Sequence, residues 1–135
     1  MNRDELIRRM AELPFLHEGC WLLAGGAMVL YGLRESTADI DLGCNAALAD
    51  QLEKADFSVE RMTDGTRRIS YAPDIEIFED WLYDGVTEVE DIPVITLAGL
   101  IDMKRALGRE KDWRDIRLIE AHLAANETQQ EVMRE

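Results

Sequence analysis

The chain alternates between short apolar runs and longer segments in which apolar residues recur at helical spacing. Apolar residues three and four positions apart predict helices, whereas alternation, or a short apolar run between turn residues, predicts strands. The helical segments are residues 2–13, 27–33, 45–55, 96–107 and 111–125. The strand-like segments are residues 20–24, 38–43, 57–62, 67–71 and 74–78.

Residues that commonly begin or end helices support these bounds. Asn2, Asn45 and Thr96 each precede a helical segment, and their side-chain oxygens can cap its first amides. Gly108 separates the last two helices, and the acid-rich stretch leading to Pro93 is predicted to be a loop. This order of elements predicts an α/β (α+β) fold, in which helices pack on a mixed, twisted sheet of about four or five strands and the chain ends in a helical pair.

The chain carries a formal net charge of −13 over 135 residues, of which 47% are hydrophobic and 32% charged. Its size predicts a single domain over residues 1–125, followed by a polar tail at residues 126–135. So acidic a chain lacks the basic surface that long nucleic acids require of a partner. A nucleotide carried with Mg²⁺ is compatible with it, because the metal reverses the local sign of the field. The bland interpretation is that the charge keeps the protein soluble.

The composition also bears on membrane and metal binding. No apolar run approaches the roughly 18 residues that span a bilayer, so we expect a cytoplasmic protein without a membrane partner. Cys20 and Cys44 are predicted to be reduced core thiols, and with His17 and His122 they show no zinc-binding spacing. The tryptophans are expected to pack in the core or at an interface. The predicted inward face of the last helix consists of Trp113, Ile116, Ile119 and Leu123.

Asp39 and Asp41 are the first candidates for chemistry. Alternate side chains of a strand project from the same face, so these two carboxylates should lie together while Ile40 points towards the core. Two carboxylates on one face repel each other unless a cation lies between them. A third acid from a neighbouring strand would complete a metal site. Glu76 is preferred over Asp74 for this role, since it lies inside an apolar strand.

Gly25 and Gly26 follow an apolar strand and precede an apolar helical segment, where they are predicted to form a tight turn. Backbone amides at such a turn can hold phosphate oxygens, because no side chain blocks their approach and a helix begins there. The segment has no Gly-Lys-Ser/Thr ending, which argues against a P-loop nucleotide hydrolase. The chain also lacks the Gly-x-Ser-x-Gly elbow of α/β-hydrolases.

In combination, these motifs resemble the DNA polymerase β-like nucleotidyltransferase superfamily, in particular its small bacterial members: minimal nucleotidyltransferases and the nucleotidyltransferase toxins and antitoxins of phage-defence loci. The resemblance extends over about residues 21–123. The matching residues are Gly25-Gly26, Arg34 with Thr37, Asp39-Ile40-Asp41-Leu42, Ile75-Glu76-Ile77-Phe78 and the C-terminal segment from Leu100 to Asp112.

The resemblance implies an activity and a role for each residue. It implies transfer of a nucleoside monophosphate from an NTP to an acceptor hydroxyl, supported by Mg²⁺ in what is expected to be a two-metal site. Asp39, Asp41 and Glu76 would be the catalytic and metal-binding acids. The nucleotide contacts would come from Gly25, Gly26, Arg34, Thr37 and Lys104. The acceptor could be a partner protein, of the toxin–antitoxin type, or a small molecule, and an oligomer is compatible with either.

Several interpretations stay open from the sequence alone. Arg34 could bind a phosphate, or it could pair with Asp39 or Asp41. Lys104 could meet the β- and γ-phosphates, or it could balance nearby acids on the helices. An interpretation from another class makes the chain a nucleotidyltransferase-like antitoxin or binding module that acts through a partner protein, with weak or absent catalysis.

Overall fold

The computed structural model describes the backbone of residues 1–134 and the side chains of residues 1–127. The helices are α1 (Arg3–Ala11), α2 (Ala24–Leu30), α3 (Ala46–Lys54), α4 (Leu97–Leu107) and α5 (Glu110–Arg134). The strands are β1 (Cys20–Leu23), β2 (Ile40–Cys44), β3 (Ser58–Arg61), β4 (Arg67–Ala72), β5 (Ile75–Glu79), β6 (Val86–Val89) and β7 (Ile92–Ile95).

The strands form one mixed sheet in the order β3-β4-β5-β2-β1-β7-β6. Strand β2 pairs with β1 in antiparallel and with β5 in parallel, and β1 pairs with β7 in parallel. The remaining neighbours are antiparallel hairpins. With α4 and α5 as a C-terminal helical pair, this architecture confirms the predicted α+β class.

The sheet is larger than predicted, because it has seven strands rather than four or five. The two additional strands, β6 and β7, lie in and just after the acid-rich stretch that is predicted to be a loop. The exposed acid Glu88 lies in β6 at the edge of the sheet, and Pro93 lies opposite it within β7. Acids and proline are both depleted in strands, so composition concealed this hairpin.

The helix caps agree with the prediction. The side chains of Asn2, Asn45 and Thr96 accept hydrogen bonds from the amides of Glu5, Leu48 and Gly99, at 2.9, 2.9 and 3.1 Å. Gly108 ends α4 in the left-handed conformation, with φ of 62°. Helix α5 continues through the predicted boundary at residue 125, but Glu135 and the side chains of residues 128–134 lie outside the described part. The domain division therefore stays a prediction.

The core lies between the sheet and its helices, and it includes both cysteines as free, buried thiols. Burial raises the pKa of Cys20 and of Cys44 to about 12. Ile116 and Ile119 face the core as predicted, but the prediction for Trp113 is wrong, since it is 47% exposed. Asp112 and Asp115 are buried together with these isoleucines, so they complete the inward face of α5 in place of Trp113.

No helix among residues 1–134 combines the length and the apolar character needed to cross a membrane.

Candidate active site

Several acidic side chains lie together at the end of the sheet where the inner strands β2 and β5 begin. Asp41 on β2 is directly in register with Glu76 on β5. Asp39 lies just before β2, and Ile40 makes the first hydrogen bond between β2 and its neighbour. The strand therefore begins at Ile40, two residues later than the predicted start at residue 38. The carbonyl oxygen of Asp39 accepts a hydrogen bond from the Thr37 hydroxyl at 3.0 Å. A cavity of about 270 Å³ is lined by Asp39, Asp41, Pro73, Asp74 and Glu76.

Two of these acids are already paired with arginines. Arg68 on β4 holds the Glu76 carboxylate through Nε and Nη2, at 2.7 to 3.0 Å. Arg9 on α1 forms a bidentate pair with the Asp74 carboxylate, with hydrogen bonds of 2.7 and 2.9 Å. Within the residues whose side chains are described, Asp39 and Asp41 form no salt bridge. The cavity thus contains two carboxylates without a cationic partner.

The electrostatics differ between these acids. Burial raises the pKa of Asp41, the neighbouring charges of Glu76 and Asp39 raise it further, and Arg68 partly opposes them. In contrast, the hydrogen bonds from Arg9 lower the pKa of Asp74. A carboxylate whose ionised form is disfavoured by its neighbours is a site where a bound cation would restore the charge.

The residues at this end of the sheet fit a magnesium ion only in part. Among the described side chains, no three or more His, Cys, Asp or Glu residues are arranged to hold a metal. The carboxylate of Glu76 is also already engaged, because Arg68 donates hydrogen bonds to both of its oxygens. Mg²⁺ commonly takes one or two carboxylates and completes its shell with water and substrate phosphates. Asp39 and Asp41 supply that minimum as oxygen donors.

The glycine segment lies beside the acids, because Leu23 at the end of β1 is in register with Asp41. Here the structure corrects the predicted turn. Gly25 and Gly26 lie inside the first turn of α2, and the residue with positive φ (53°) is Ala24. Gly26 packs closely on β1, since a Cβ there would lie 2.8 Å from the end of the Leu22 side chain, which would have to shift.

Gly25 has polar neighbours. A Cβ at this position would lie 3.0 Å from both Arg34 Nη1 and Thr37 Oγ1, so the missing side chain leaves room for these groups. Thr37 in turn contacts the backbone of Asp39. The structure therefore brings Gly25, Arg34 and Thr37 together beside Asp39.

Lys104 and Arg34 are joined by a residue that the sequence interpretation did not assign to the site. Asp115 Oδ2 accepts hydrogen bonds from Arg34 Nη2 at 2.8 Å and from Lys104 Nζ at 2.9 Å. Arg34 is predicted to pair with Asp39 or Asp41 if it does not bind a phosphate, but its salt-bridge partner is Asp115. Arg109 pairs with Asp112 at 2.7 Å.

Two residues of this region were missed from the sequence, and each had a detectable sign. Arg68 lies on the same face of β4 as Ser70, which is in register with Glu76, so a diagonal contact was predictable once the hairpin was accepted. Asp115 shares the inward spacing of Ile116 and Ile119 on α5. An aspartate on a buried helix face needs a cationic partner, and that requirement marks it.

Neither a protein-family model nor a curated protein sequence matches the chain. Among solved structures, the chain is similar to the lincomycin-bound crystal structure of the lincosamide antibiotic adenylyltransferase LnuA, at 17% identity and a TM-score of 0.49. The match covers 89% of this chain and 98% of that one. A likeness of this degree carries no inference about activity, so a function has to be supported by the residues of this chain.

Proposed function

We propose that the chain is a Mg²⁺-dependent nucleotidyltransferase, which moves a nucleoside monophosphate from an NTP to an acceptor hydroxyl and releases pyrophosphate. One observation carries the proposal: the carboxylates of Asp39 and Asp41, which have no salt-bridge partner among the described side chains, line one cavity, and Thr37 connects Asp39 to Gly25. A cation site next to such a polar segment is what a metal-bound polyphosphate needs.

Asp39 and Asp41 would hold Mg²⁺, and Glu76 would join them once its carboxylate exchanges Arg68 for the metal. When bound, the metal would neutralise charge on the phosphates and polarise the reacting oxygens. The acids therefore have two tasks of their own. Asp39 and Asp41 bind and orient the metal-bound nucleotide, and Glu76, facing the same cavity, positions the acceptor hydroxyl.

The glycine side of the site would bind the phosphates. Arg34 Nη1 and Thr37 Oγ1 lie against Gly25, each 3.0 Å from the position of a Cβ there, and these two groups would donate to a phosphate oxygen bound at this segment. Thr37 holds the backbone at Asp39, which ties the position of the first metal ligand to the phosphate side. Most of the rate would come from positioning and from charge stabilisation, as in phosphoryl transfers generally.

The test is transfer of label from an NTP labelled at the α-phosphate, with Mg²⁺ and a panel of hydroxyl acceptors that includes protein extracts and small antibiotics. Asp41→Asn is expected to lower transfer by roughly 100-fold or more, since it removes a charge that acts on the reacting phosphates. Asp50→Asn is the matched control, because Asp50 is a carboxylate of an ion-pair cluster around Arg67. Equal activity of wild type and Asp41→Asn would contradict the proposal.

A second function is favoured by one observation: Glu76 is already held by Arg68, so three acids are not assembled. It is the binding module, an antitoxin-like chain that contacts a partner protein without transferring nucleotide. In that case Mg²⁺ with any NTP should give no heat in isothermal titration calorimetry. A wild type that binds Mg²⁺-NTP while Asp41→Asn does not would favour the enzyme instead.

A further inference from the structure

We infer that Asp115 is a positioning residue that aims the guanidinium of Arg34 at Gly25, and that Lys104 acts on the site through Asp115 rather than by touching the nucleotide. The inference deepens the proposed function and rests on it, since it names which groups prepare the pocket for the polyphosphate. It also reassigns Lys104, which is predicted from the sequence to be a phosphate contact.

The contacts define a relay from α4 through α5 to the segment after α2. Asp115 Oδ2 accepts from Lys104 Nζ at 2.9 Å and from Arg34 Nη2 at 2.8 Å. The side chains of Lys104 and Asp115 are only 6% and 9% exposed, whereas that of Arg34 is 38% exposed. Lys104 is thus enclosed and bound, and Arg34 is the member of the relay that reaches solvent.

The geometry of Arg34 gives the relay a direction. A guanidinium is planar, so fixing Nη2 on Asp115 also fixes where Nη1 lies. Nη1 is the atom that lies 3.0 Å from the position of a Cβ on Gly25. Asp115 therefore holds Arg34 with one nitrogen on the carboxylate and another turned towards the glycine segment, where an anionic oxygen could accept from it.

The charges explain why Lys104 is needed in a buried position. Arg34, Lys104 and Arg109 are joined by Asp112 and Asp115, so the cluster keeps one positive charge in excess. Lys104 Nζ also lies 3.8 Å from Asp112, which is fully buried. Because Lys104 neutralises the enclosed carboxylates, Asp115 orients Arg34 without cancelling its charge. The ligand that this excess suits is the di- or triphosphate part of a nucleotide.

The inference is tested by titrating inorganic triphosphate into the metal-free protein, with Arg34→Ala, Asp115→Asn and the double variant. Each single substitution is expected to weaken binding about tenfold, the effect of one charge-assisted hydrogen bond. The double variant should be no weaker than the weaker single, because Asp115 acts only through Arg34. Arg61→Ala is the matched control, since Arg61 of β3 pairs with Glu53 of α3 and has no part in these contacts.

Asp115→Asn leaves Lys104 with a weaker partner, so thermal melting has to accompany each titration. Should this variant fail to fold, Asp115→Glu keeps the charge and moves the guanidinium, and it should also weaken binding. Additive losses in the double variant, or unchanged binding in Asp115→Glu, would overturn the inference while the proposed function stands. A wild type that binds Mg²⁺-ATP but no triphosphate would also overturn the inference alone. Binding of neither ligand would overturn both.

Discussion

Two consecutive arginines of β4 build two ion-pair clusters on opposite faces of the sheet. Arg67 is buried and pairs with Glu79 of β5 at 2.6 Å, and Arg68 is half-exposed and pairs with Glu76 of the same strand at 2.7 Å. Each arginine lies in a group with three carboxylates: Asp50, Glu53 and Glu79 around Arg67, and Asp39, Asp41 and Glu76 near Arg68. The two groups thus have the same balance of one arginine to three carboxylates, although the kinds of acid differ.

They differ in how the charges are satisfied. Arg67 reaches all three of its carboxylates within 3.1 Å, and its hydrogen bonds lower the pKa of Glu79. Arg68 reaches only Glu76, and the pKa of Asp41 is raised. An excess of acids therefore does not by itself indicate a cation site. A better indication is a carboxylate that has no basic side chain as its partner.

The largest expected effect separates the two arginines by stability. Arg67→Met should lower the free energy of unfolding by about 3–5 kcal/mol, because it leaves Glu79 enclosed and unpaired. Arg68→Met should cost much less, since its salt bridge is open to solvent. Urea denaturation of both variants gives the two values. Equal losses would break the distinction between a structural and an available cluster.

An intermediate effect is expected from divalent cations. Mg²⁺ or Mn²⁺ at about 100 times its dissociation constant should raise the free energy of unfolding by about 2.7 kcal/mol. Asp41→Asn should remove this stabilisation, whereas Asp50→Asn should keep it, since Asp50 already has its partner in Arg67. Thermal melting with and without metal measures both. Full stabilisation of Asp41→Asn by metal would place the cation elsewhere.

The smallest effect is a pH dependence of opposite sign in the two clusters. The folded protein holds the proton of Asp41 more tightly than the unfolded chain, since its pKa is raised above the ordinary 3.8. The ionised carboxylate therefore destabilises the metal-free fold at neutral pH, and this cost disappears as pH falls through the raised pKa. We expect Asp41→Asn to be more stable than wild type at pH 7, by about 1 kcal/mol or less.

Glu79→Gln provides the matched comparison, because the pKa of Glu79 is lowered from its ordinary 4.5 by Arg67. Its charge stabilises the fold above that ordinary value, and the contribution is lost as pH falls through the lowered pKa. This variant should therefore be less stable than wild type at pH 7, with a deficit that shrinks in acid. Unfolding free energies across pH 3–7 test both variants, and slopes of the same sign would contradict the contrast.

Local chemistry made much of the fold predictable. The caps at Asn45 and Thr96, the β3–β4 hairpin and the break at Gly108 depend on a few adjacent residues, and all appear where expected. The β6–β7 hairpin was not predictable from composition, because Glu88 and Pro93 are unfavourable in strands and the strand that pairs with β7, β1, is far away in the sequence. Strand propensity depends on neighbours that a sequence pattern does not display.

The candidate site divides in the same way. Asp39 and Asp41 line one cavity, but strand alternation accounts only for Asp41, since Asp39 lies just before β2; Glu76 joins them through the parallel register. The acidic partners of the basic side chains come from distant elements. Arg34 in the α2–β2 connection, for example, pairs with Asp115 of α5. Such pairs depend on how helices dock on the sheet. That docking is a tertiary property, so no local spacing could identify them.

The two native thiols have a practical consequence for all of these experiments. Cys20 and Cys44 face each other across β1 and β2, and with pKa values of about 12 they carry almost no thiolate at neutral pH. Maleimides react with the thiolate form, so the folded wild-type chain should resist them. A cysteine introduced at an exposed position, such as Glu35, would then accept a fluorophore selectively, and nucleotide binding could be followed by light without replacing any core residue.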